Sequence, residues 1–308
     1  MGRVSDTDRL ATMLCSHLQA LDDPQQCPAG AVVLIGVPDD RGVAINHGRV
    51  GAAQGPGAFR EAFLRLPCGR DDALRRLPLY DAGDVVLGET NAETHEHLAE
   101  VVAAVVARQA LPIVIGGGHD HTFGGIKGTV HAAKHVGVIN IDAHLDLREP
   151  EPDGSYGSGT PFRRLIDAQH IAGPQLVEFG YQSHANHRAL FDYAVAHQIR
   201  LWSWADGRGR SPETFLHLCH DLQQRYQQIA VSLDLDAIAA AEAPGVSAPA
   251  AIGLSAREVL ELLQITAQQP GLSYLDIMEL NPTYDPDGRT ARLAAVLLWQ
   301  FLSAWEAR

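Results

Sequence analysis

The chain has 308 residues, of which 46% are hydrophobic and 20% are charged, which is typical of a globular protein with a large core. Its formal net charge of −13 argues against nonspecific binding to nucleic acid or to an anionic membrane, because both need a basic surface. No apolar run approaches the roughly 18 residues of a transmembrane helix, and no signal peptide is evident. The four cysteines have no CxxC spacing, so we expect a reduced, cytoplasmic protein.

In chain order, short apolar runs rich in β-branched residues alternate with longer stretches of helical or loop character. This alternation predicts repeated βαβ units, and therefore an α/β fold with a parallel sheet covered by helices on both faces. No linker, repeat or low-complexity tract interrupts it, so we expect one domain spanning residues 1–308. The runs begin at Ala31 (AVVLIGV), Leu111 (LPIVIGG), Val136 (VGVINID), Gln175 (QLVEFGY), Gln198 (QIRLWSW), Ile229 (IAVSLDL) and Leu272 (LSYLDIMEL).

Three of these runs end in side chains that can bind a metal. An Asp-x-His-x-Asp segment completes the run from residue 136, and an Asp-x-Asp pair completes the run from residue 229. Alternate residues of extended backbone point to the same side, so each segment aims its side chains at one place. A histidine also follows the glycines after the run from residue 111. The six candidate ligands are His119, Asp142, His144, Asp146, Asp234 and Asp236.

Any one of these residues, taken singly, is more typical of a helix cap or a turn. Six of them at the carboxyl ends of three buried strands favour a metal site, because that edge of a parallel sheet is where sites are built. Oxygen and nitrogen donors without a thiolate suit Mn²⁺ better than a structural zinc. Six ligands are enough for two ions, a pair that activates water for hydrolysis. If Asp146 lies against that water, it can also accept the proton of the water.

Two long loops, residues 38–57 and 150–161, are rich in glycine and proline and directly follow predicted strands. Long irregular loops in a compact domain are uncommon unless they have a function, so both are candidate walls of the site. We expect Asn46, His47 and Arg49 to line the mouth of a pocket. A role in shaping the loop alone remains open for these three residues.

The blocks GGGHD (116–120), DAHLD (142–146), SLDLD (232–236) and DIMELNP (276–282) resemble, in order and spacing, the signature blocks of the ureohydrolase (arginase/agmatinase) superfamily. The resemblance extends from about Val32 to Ala295. It implies a three-layer α/β/α fold with a mostly parallel, eight-stranded sheet, two Mn²⁺ ions on the six ligands, and a homo-oligomer, either a trimer or a hexamer. It also implies that Glu279 binds the amidine or guanidine cation of a small-molecule substrate. The alternative for Glu279 is a buried ion pair with Arg289 or Arg292.

Within that superfamily, Arg148 after DAHLD, SGTPF (158–162), APGVSAPA (243–250) and NPTYDPDGRTARLAA (281–295) are most similar to formimidoylglutamase. This likeness implies hydrolysis of N-formimidoyl-L-glutamate to L-glutamate and formamide, a step of histidine breakdown. Arg148 suits such a substrate because a guanidinium binds a carboxylate with two hydrogen bonds. The alternative is a surface salt bridge to Glu149 or Asp153.

Ser158 and Gly159 are further candidate substrate contacts. Arginase-like and agmatinase-like sequences carry, at the position of Ser158, a histidine that is thought to shuttle protons. The serine agrees with formimidoylglutamase but leaves the proton donor to the leaving amine unassigned. His121 is the nearest candidate in the sequence, and an ordinary core or surface histidine is the alternative.

Three other functions compete with this interpretation. An agmatinase or guanidino-acid hydrolase would release urea, although a cationic substrate tail beside Arg148 is unfavourable. A metal-binding or ligand-binding protein without catalysis would be expected to have lost ligands. A zinc deacetylase shares the architecture but uses one metal and fewer carboxylates.

Overall fold

The computed structural model describes residues 13–69, 72–207 and 209–308, in which nine strands form one sheet of order β1-β3-β2-β4-β9-β8-β5-β6-β7. Every pair of neighbouring strands is parallel. The strands are β1 (Gln19–Ala20), β2 (Val32–Val37), β3 (Leu79–Asp84), β4 (Leu111–Gly116), β5 (Val136–Ile141), β6 (Leu176–Tyr181), β7 (Arg200–Ser203), β8 (Gln228–Asp234) and β9 (Leu272–Met278).

Helices cover both faces of this sheet, so the predicted three-layer α/β/α fold is confirmed. Helices α2, α7, α8 and α9 pack on one face, and α3, α4, α5 and α6 pack on the other. No described helix has both the length and the apolar character needed to cross a lipid bilayer. The helices are α1 (Arg41–Ile45), α2 (Gly55–Phe63), α3 (Asn91–Ala107), α4 (Thr122–Ala133), α5 (Pro161–Asp167), α6 (Arg188–Ala196), α7 (Ser211–Arg225), α8 (Ala256–Ala267) and α9 (Arg289–Glu306).

The strand count differs from the eight that the resemblance implies, because the two-residue β1 adds a ninth strand at one edge. Neither β1 nor β3 belongs to the seven apolar runs of the sequence. Only the first two residues of β3, Leu79 and Tyr80, have large apolar side chains. The rest of the strand, DAGD, is mostly polar, so β3 lacks a continuous hydrophobic pattern. The seven strands that the sequence predicts are all present.

Burial on both faces explains why the central strands appear in the sequence as unbroken apolar runs. All six residues of β2 are buried. Val32 and Leu34 pack in the core on one side of the sheet, whereas Val33 and Ile35 pack in the core on the other side. A strand with apolar neighbours on both faces has no position for alternating polar residues.

The order of the central strands positions the site. Strands β4 and β5 are consecutive in the chain but are not neighbours in the sheet, because the last two strands, β9 and β8, lie between them. The carboxyl ends of β4, β9, β8 and β5 are therefore adjacent along one edge of the sheet. Gly117 follows β4 where a β-carbon would lie 1.9 Å from the carbonyl oxygen of Asp39, so this close backbone contact requires glycine.

Candidate metal centre

The first cluster of candidate ligands surrounds the imidazole of His119, which follows β4. The Nδ1 atom of His119 lies 2.9 Å from Oδ2 of Asp146, and 3.2 Å from Oδ2 of both Asp142 and Asp234. All four side chains are buried or nearly so. Three carboxylate oxygens from the ends of two strands thus converge on one ring nitrogen.

The opposite side of the His119 ring fixes its tautomer. Its Nε2–H donates to Oγ of Ser232 over 2.8 Å, and that hydroxyl donates in turn to Oδ1 of Asp276 over 2.6 Å. With the proton on Nε2, Nδ1 is the ring nitrogen left to bind a cation among the carboxylates. Metal-binding histidines are commonly oriented by such a hydrogen bond from their other nitrogen.

The second cluster contains His144, Asp142 and Asp236. Nδ1 of His144 lies 3.4 Å from Oδ1 of Asp142 and 3.1 Å from Oδ2 of Asp236. Asp142 therefore belongs to both clusters, with one carboxylate oxygen toward each histidine. All six ligands that the sequence predicts come together here, and they form two groups joined by a shared carboxylate.

The electrostatics of these groups favour bound cations. Burial and the neighbouring carboxylates raise the pKa of Asp234 well above its usual range, and burial chiefly raises the pKa of Asp236 to about 7, against the opposing effect of His144. The carboxylates also hold the pKa of His144 far above its ordinary value, with Asp236 as the main cause. Such a concentration of buried negative charge is unfavourable unless positive charge accompanies it.

The residues fit two Mn²⁺ ions. Nδ1 of His119 and Oδ1 of Asp236 are buried and have no hydrogen-bond partner, although carboxylate oxygens surround the histidine nitrogen. Ligands about 2.1 Å from one octahedral ion lie roughly 3 Å apart, which matches the separations of 2.9–3.4 Å found here. Carboxylates with imidazoles, and no thiolate, form the donor set that Mn²⁺ prefers.

Two residues of the site have backbone conformations that are rare outside glycine. The φ angle is +47° at Asp146 and +67° at Glu279. Strained backbone of this kind costs on the order of 1–3 kcal/mol and persists where the surrounding structure imposes it, often at functional sites. Both residues follow strands at the carboxyl edge, where the chain must turn sharply to aim their carboxylates at the site.

Glu279 lies beside the first cluster. Its Oε1 accepts a 2.7 Å hydrogen bond from the backbone N–H of His119, whereas Oε2 is buried without a partner. Burial raises its pKa to about 8, against the opposing effects of Ser247 and of the His119 backbone. Arg289 and Arg292, the alternative ion-pair partners, both lie close to Asp287 instead. Glu279 therefore has a free, buried oxygen that a cationic ligand would satisfy.

These residues open into a cavity of about 220 Å³. This volume is smaller than the roughly 300–1,000 Å³ of sites for drug-sized ligands, so it suits a small metabolite. Both predicted loops contribute to its walls. The lining residues are Asn46, His47, Gly48, Arg49, His119, His144, Asp146, Arg148, Ser158, Ala185, Asn186, Leu190, Asp234, Asp236, Ser247, Ala248 and Glu279.

Arg148 is exposed at the rim of this cavity, and no described residue forms an ion pair or a side-chain hydrogen bond with it. The alternative salt bridges are not formed. Glu149 pairs instead with Arg163 over 3.2 Å, and Asp153 accepts from the backbone N–H of Ser155. The guanidinium of Arg148 is therefore available to a ligand.

The other predicted substrate contacts differ in their placement. Asn46 and Ser158 line the cavity. Gly159 does not line it, but its carbonyl accepts a hydrogen bond from the backbone N–H of Arg148 and so helps to position that residue. Arg49 lines the cavity, but its guanidinium donates to the carbonyls of residues 244 and 246 and stacks on Tyr284 at 4.2 Å. Its main contacts therefore join two loops.

His121 does not reach the cavity. It is fully buried behind the site, where its Nδ1 lies 2.9 Å from the carbonyl oxygen of Gly118 and its Nε2 lies 3.6 Å from Asp39. The core alternative for this histidine is therefore the correct one. Sequence reasoning missed the contributions of Ser247 and of Ala185, Asn186 and Leu190, because only the fold brings these segments to the carboxyl edge.

Comparison with known proteins agrees with this geometry. The Arginase family profile matches residues 30–303. The chain is 36% identical over 283 residues to the formimidoylglutamase of Rhodococcus jostii, covering 89% of this chain and 86% of that protein.

Two solved structures are similar throughout. The formiminoglutamase of Trypanosoma cruzi, solved with two Mn²⁺ ions, is 35% identical with a TM-score of 0.84, covering 91% of this chain and 94% of that chain. The formimidoylglutamase of Bacillus subtilis is 28% identical with a TM-score of 0.90, covering 99% and 94% of the two chains. With its candidate metal-ligand clusters at the carboxyl edge of a parallel sheet, and with a family match over most of its length, the chain belongs to the arginase family.

Proposed function

We propose that the chain is a binuclear manganese hydrolase that converts N-formimidoyl-L-glutamate and water into L-glutamate and formamide. The names of the similar proteins support this activity, but one feature of the cavity carries the argument. A buried carboxylate with a free oxygen, Glu279, lies on its floor, and an unpaired guanidinium, Arg148, lies on its rim. A substrate that bears a cation at one end and a carboxylate at the other satisfies both groups.

Glu279 is suited to the formimidoyl group. A protonated amidine is planar and presents N–H donors in parallel, which a carboxylate accepts in bidentate fashion. Burial raises the pKa of Glu279 to about 8, so a cation that binds beside it also stabilises the ionised carboxylate. Charge and hydrogen bonding thus place the amidine carbon next to the ligand clusters.

Arg148 is suited to a carboxylate of the glutamyl part. A guanidinium with no other partner gives up no ion pair when it binds a carboxylate, so the new charge-assisted contact is not offset by the loss of an existing one. The same contact selects against agmatine, whose tail is cationic. Asn46 and Ser158, which line the cavity nearby, offer further polar contacts for the substrate.

The reaction adds the oxygen of water to the formimidoyl carbon and breaks the bond from that carbon to the glutamate nitrogen. When bound, the two Mn²⁺ ions supply acidified water and positive charge at the site of attack. Asp146, whose side chain is 10% exposed at the cavity wall, accepts the proton of the attacking water. Glu279 holds the amidine nitrogens in place, and the glutamate nitrogen leaves as an amine after gaining a proton.

The proposal is tested by a product assay on Mn²⁺-loaded enzyme with N-formimidoyl-L-glutamate, agmatine, arginine and 4-guanidinobutyrate, following both formamide and urea. We expect formamide from the first substrate and no urea from the others. Urea from a guanidino compound would reassign the chain to a sister hydrolase, and two bound ions without any product would favour a binding protein.

Arg148→Ala separates substrate recognition from the chemistry. We expect KM for N-formimidoyl-L-glutamate to rise about 10- to 100-fold, as for loss of a charge-assisted hydrogen bond, with the Mn²⁺ content unchanged. Arg148→Lys should recover part of the loss, because lysine retains the charge without the bidentate geometry. Arg188→Ala is the matched control, since Arg188 is 93% exposed on α6, outside the cavity lining.

We infer in addition a cytoplasmic location, supported by four cysteines that are all unpaired, three of them buried. A homo-oligomer, either trimer or hexamer, and a single domain spanning residues 1–308 also remain proposals. Light scattering during size-exclusion chromatography would test the assembly, since a monomer at micromolar concentration would contradict it.

A further inference from the structure

The amine that leaves in the proposed reaction must gain a proton as its bond to carbon breaks. Three histidines line the cavity, and His119 and His144 belong to the ligand clusters. Arginines do not release a proton in proteins, and serine hydroxyls are poor acids. Among the described cavity residues outside the ligand clusters, and with Glu279 assigned to the amidine, His47 is the one with a side chain of the kind that acts as a general acid.

The backbone at His47 forms the turn that ends α1. The N–H of His47 donates to the carbonyl of Ala44 over 3.1 Å, and the N–H of Gly48 donates to the carbonyl of Val43 over 2.9 Å. His47 itself has φ = +58°. This is a Schellman motif, in which the left-handed position is usually occupied by glycine. The turn therefore gives no reason for a histidine, and glycine would suit the backbone better.

The imidazole of His47 also has no evident role in stabilising the fold. It is exposed at the cavity wall, and no described residue forms a hydrogen bond or an ion pair with it. Its backbone, in contrast, is held firmly. The N–H of Arg49 donates to the carbonyl of Ser247, and the N–H of Ser158 donates to the carbonyl of Gly42, so both neighbouring loops support the turn.

We propose that His47 is the catalytic residue that protonates the leaving amine, which rests on the proposed function. The imidazolium N–H transfers its proton to the glutamate nitrogen, and the electron pair of the breaking bond to carbon stays on that nitrogen. The hydroxyl proton is lost as the carbonyl of formamide forms. This proton and the one that Asp146 took from water balance the proton that the imidazole regains and the second proton that the released glutamate amine takes up, both exchanged through solvent. The exposure of His47 at the cavity wall provides the path for this return.

The test compares wild type with His47→Gly and His47→Asn, because glycine and asparagine both adopt the left-handed conformation readily. We expect kcat to fall about 10²- to 10⁴-fold, the usual contribution of a general acid, with KM little changed. The Tm, the Mn²⁺ content and the Kd for L-glutamate should match those of wild type. Added imidazole should restore part of the kcat of His47→Gly.

Gln198→Gly is a matched control for the backbone. Gln198 has φ = +59° after α6, with the same pair of hydrogen bonds, from its own N–H to Val195 and from Ile199 to Ala194, and it does not line the cavity. We expect this variant to retain the kcat of wild type.

Several results would overturn the assignment of His47: unchanged kcat in His47→Gly, a lost kcat that imidazole does not restore, or a raised KM with weaker glutamate binding at unchanged kcat. Failure of the proposed function is a separate outcome, because it appears in the wild type as absence of formamide. The same comparison would then use whichever guanidine or amidine the wild type cleaves, since the expelled amine needs the same proton.

Discussion

The backbone N–H of His119 donates a 2.7 Å hydrogen bond to Oε1 of Glu279, and the N–H of Glu279 donates in return to the carbonyl of Gly117 over 2.9 Å. The turns after β4 and β9 thus hold each other at the edge of the sheet. One of them presents a candidate metal ligand and the other presents the carboxylate proposed to bind the substrate's cation. Their relative position is therefore set by backbone contacts and not by flexible side chains alone.

Glu279→Gln tests the role of the charge at this position. The amide oxygen can still accept from His119 N–H, so we expect normal Mn²⁺ content and a Tm at least equal to that of wild type, because a buried ionisable group is removed. We expect kcat/KM to fall about 100-fold, since the contact with the amidine loses its charge assistance. Steady-state formamide release measures this, and a kcat/KM equal to that of wild type would contradict it.

Asp142 is the carboxylate shared between the two clusters, so its removal should affect both ions. We expect Asp142→Ala to lose most of both Mn²⁺ ions, and Asp236→Ala, which faces only His144, to retain about one. Inductively coupled plasma mass spectrometry after dialysis measures the stoichiometry. Equal metal content in the two variants would show that Asp142 is not the shared ligand.

Ser232 orients His119 without belonging to the ligand clusters. Ser232→Ala removes the hydroxyl that accepts from Nε2–H of His119 and donates to Oδ1 of Asp276. We therefore expect Mn²⁺ affinity to fall about 10- to 100-fold. Ser273→Ala is the control, because Ser273 is a buried serine whose hydroxyl donates, within the described part of the chain, only to the strand carbonyl of residue 229. Competition with a fluorescent chelator measures both variants, and equal affinities would argue against the orienting role.

His95 should make the stability depend on pH below neutrality. It is fully buried, its Nδ1 accepts from Arg164 over 3.0 Å, and its Nε2–H donates to Asp120 over 2.7 Å. Burial lowers its pKa to about 4, against the opposing effect of Asp120. Between pH 4 and about 6.5 the unfolded chain binds the proton more readily, so the free energy of unfolding falls as the pH falls through this window.

Across this pH window, the free energy of unfolding falls by a total on the order of 3 kcal/mol because of His95. Above pH 6.5 none of this free energy is lost. His95→Gln supplies the matched comparison, because glutamine also offers an acceptor to Arg164 and a donor to Asp120 but does not titrate. Urea unfolding at pH 7.5 and pH 5.0 should show a smaller decrease in the variant. An equal decrease in both proteins would mean that His95 does not cause the effect.

Much of the ligand set was accessible from the sequence because its signals are local. Asp142, His144 and Asp146 alternate directly after an apolar run, and strand geometry alone turns them to one side. The same argument holds for the pair at 234 and 236. The sharing of Asp142 between two histidines was not accessible, since it depends on how β5, β8 and β4 are spaced.

The walls of the cavity illustrate the opposite case. His47 and Arg49 lie two residues apart in one loop. The imidazole of His47 has no partner among the described residues, whereas the guanidinium of Arg49 donates to the carbonyls of residues 244 and 246. No local pattern distinguishes them, because the carbonyls belong to a segment about 200 residues later. In the same way, Arg148 forms no ion pair with Glu149 because Glu149 pairs with Arg163 instead.

The sequence by itself determined which elements form and which chemistry they carry, because strand periodicity and donor type are properties of neighbouring residues. Only the tertiary structure decided that β8 and β9 insert between β4 and β5, which brings His119, Glu279 and the two aspartate groups to one edge. That order arises from long-range packing of both sheet faces against helices. The availability of individual side chains, from the free oxygen of Glu279 to the unpaired imidazole of His47, follows from that packing.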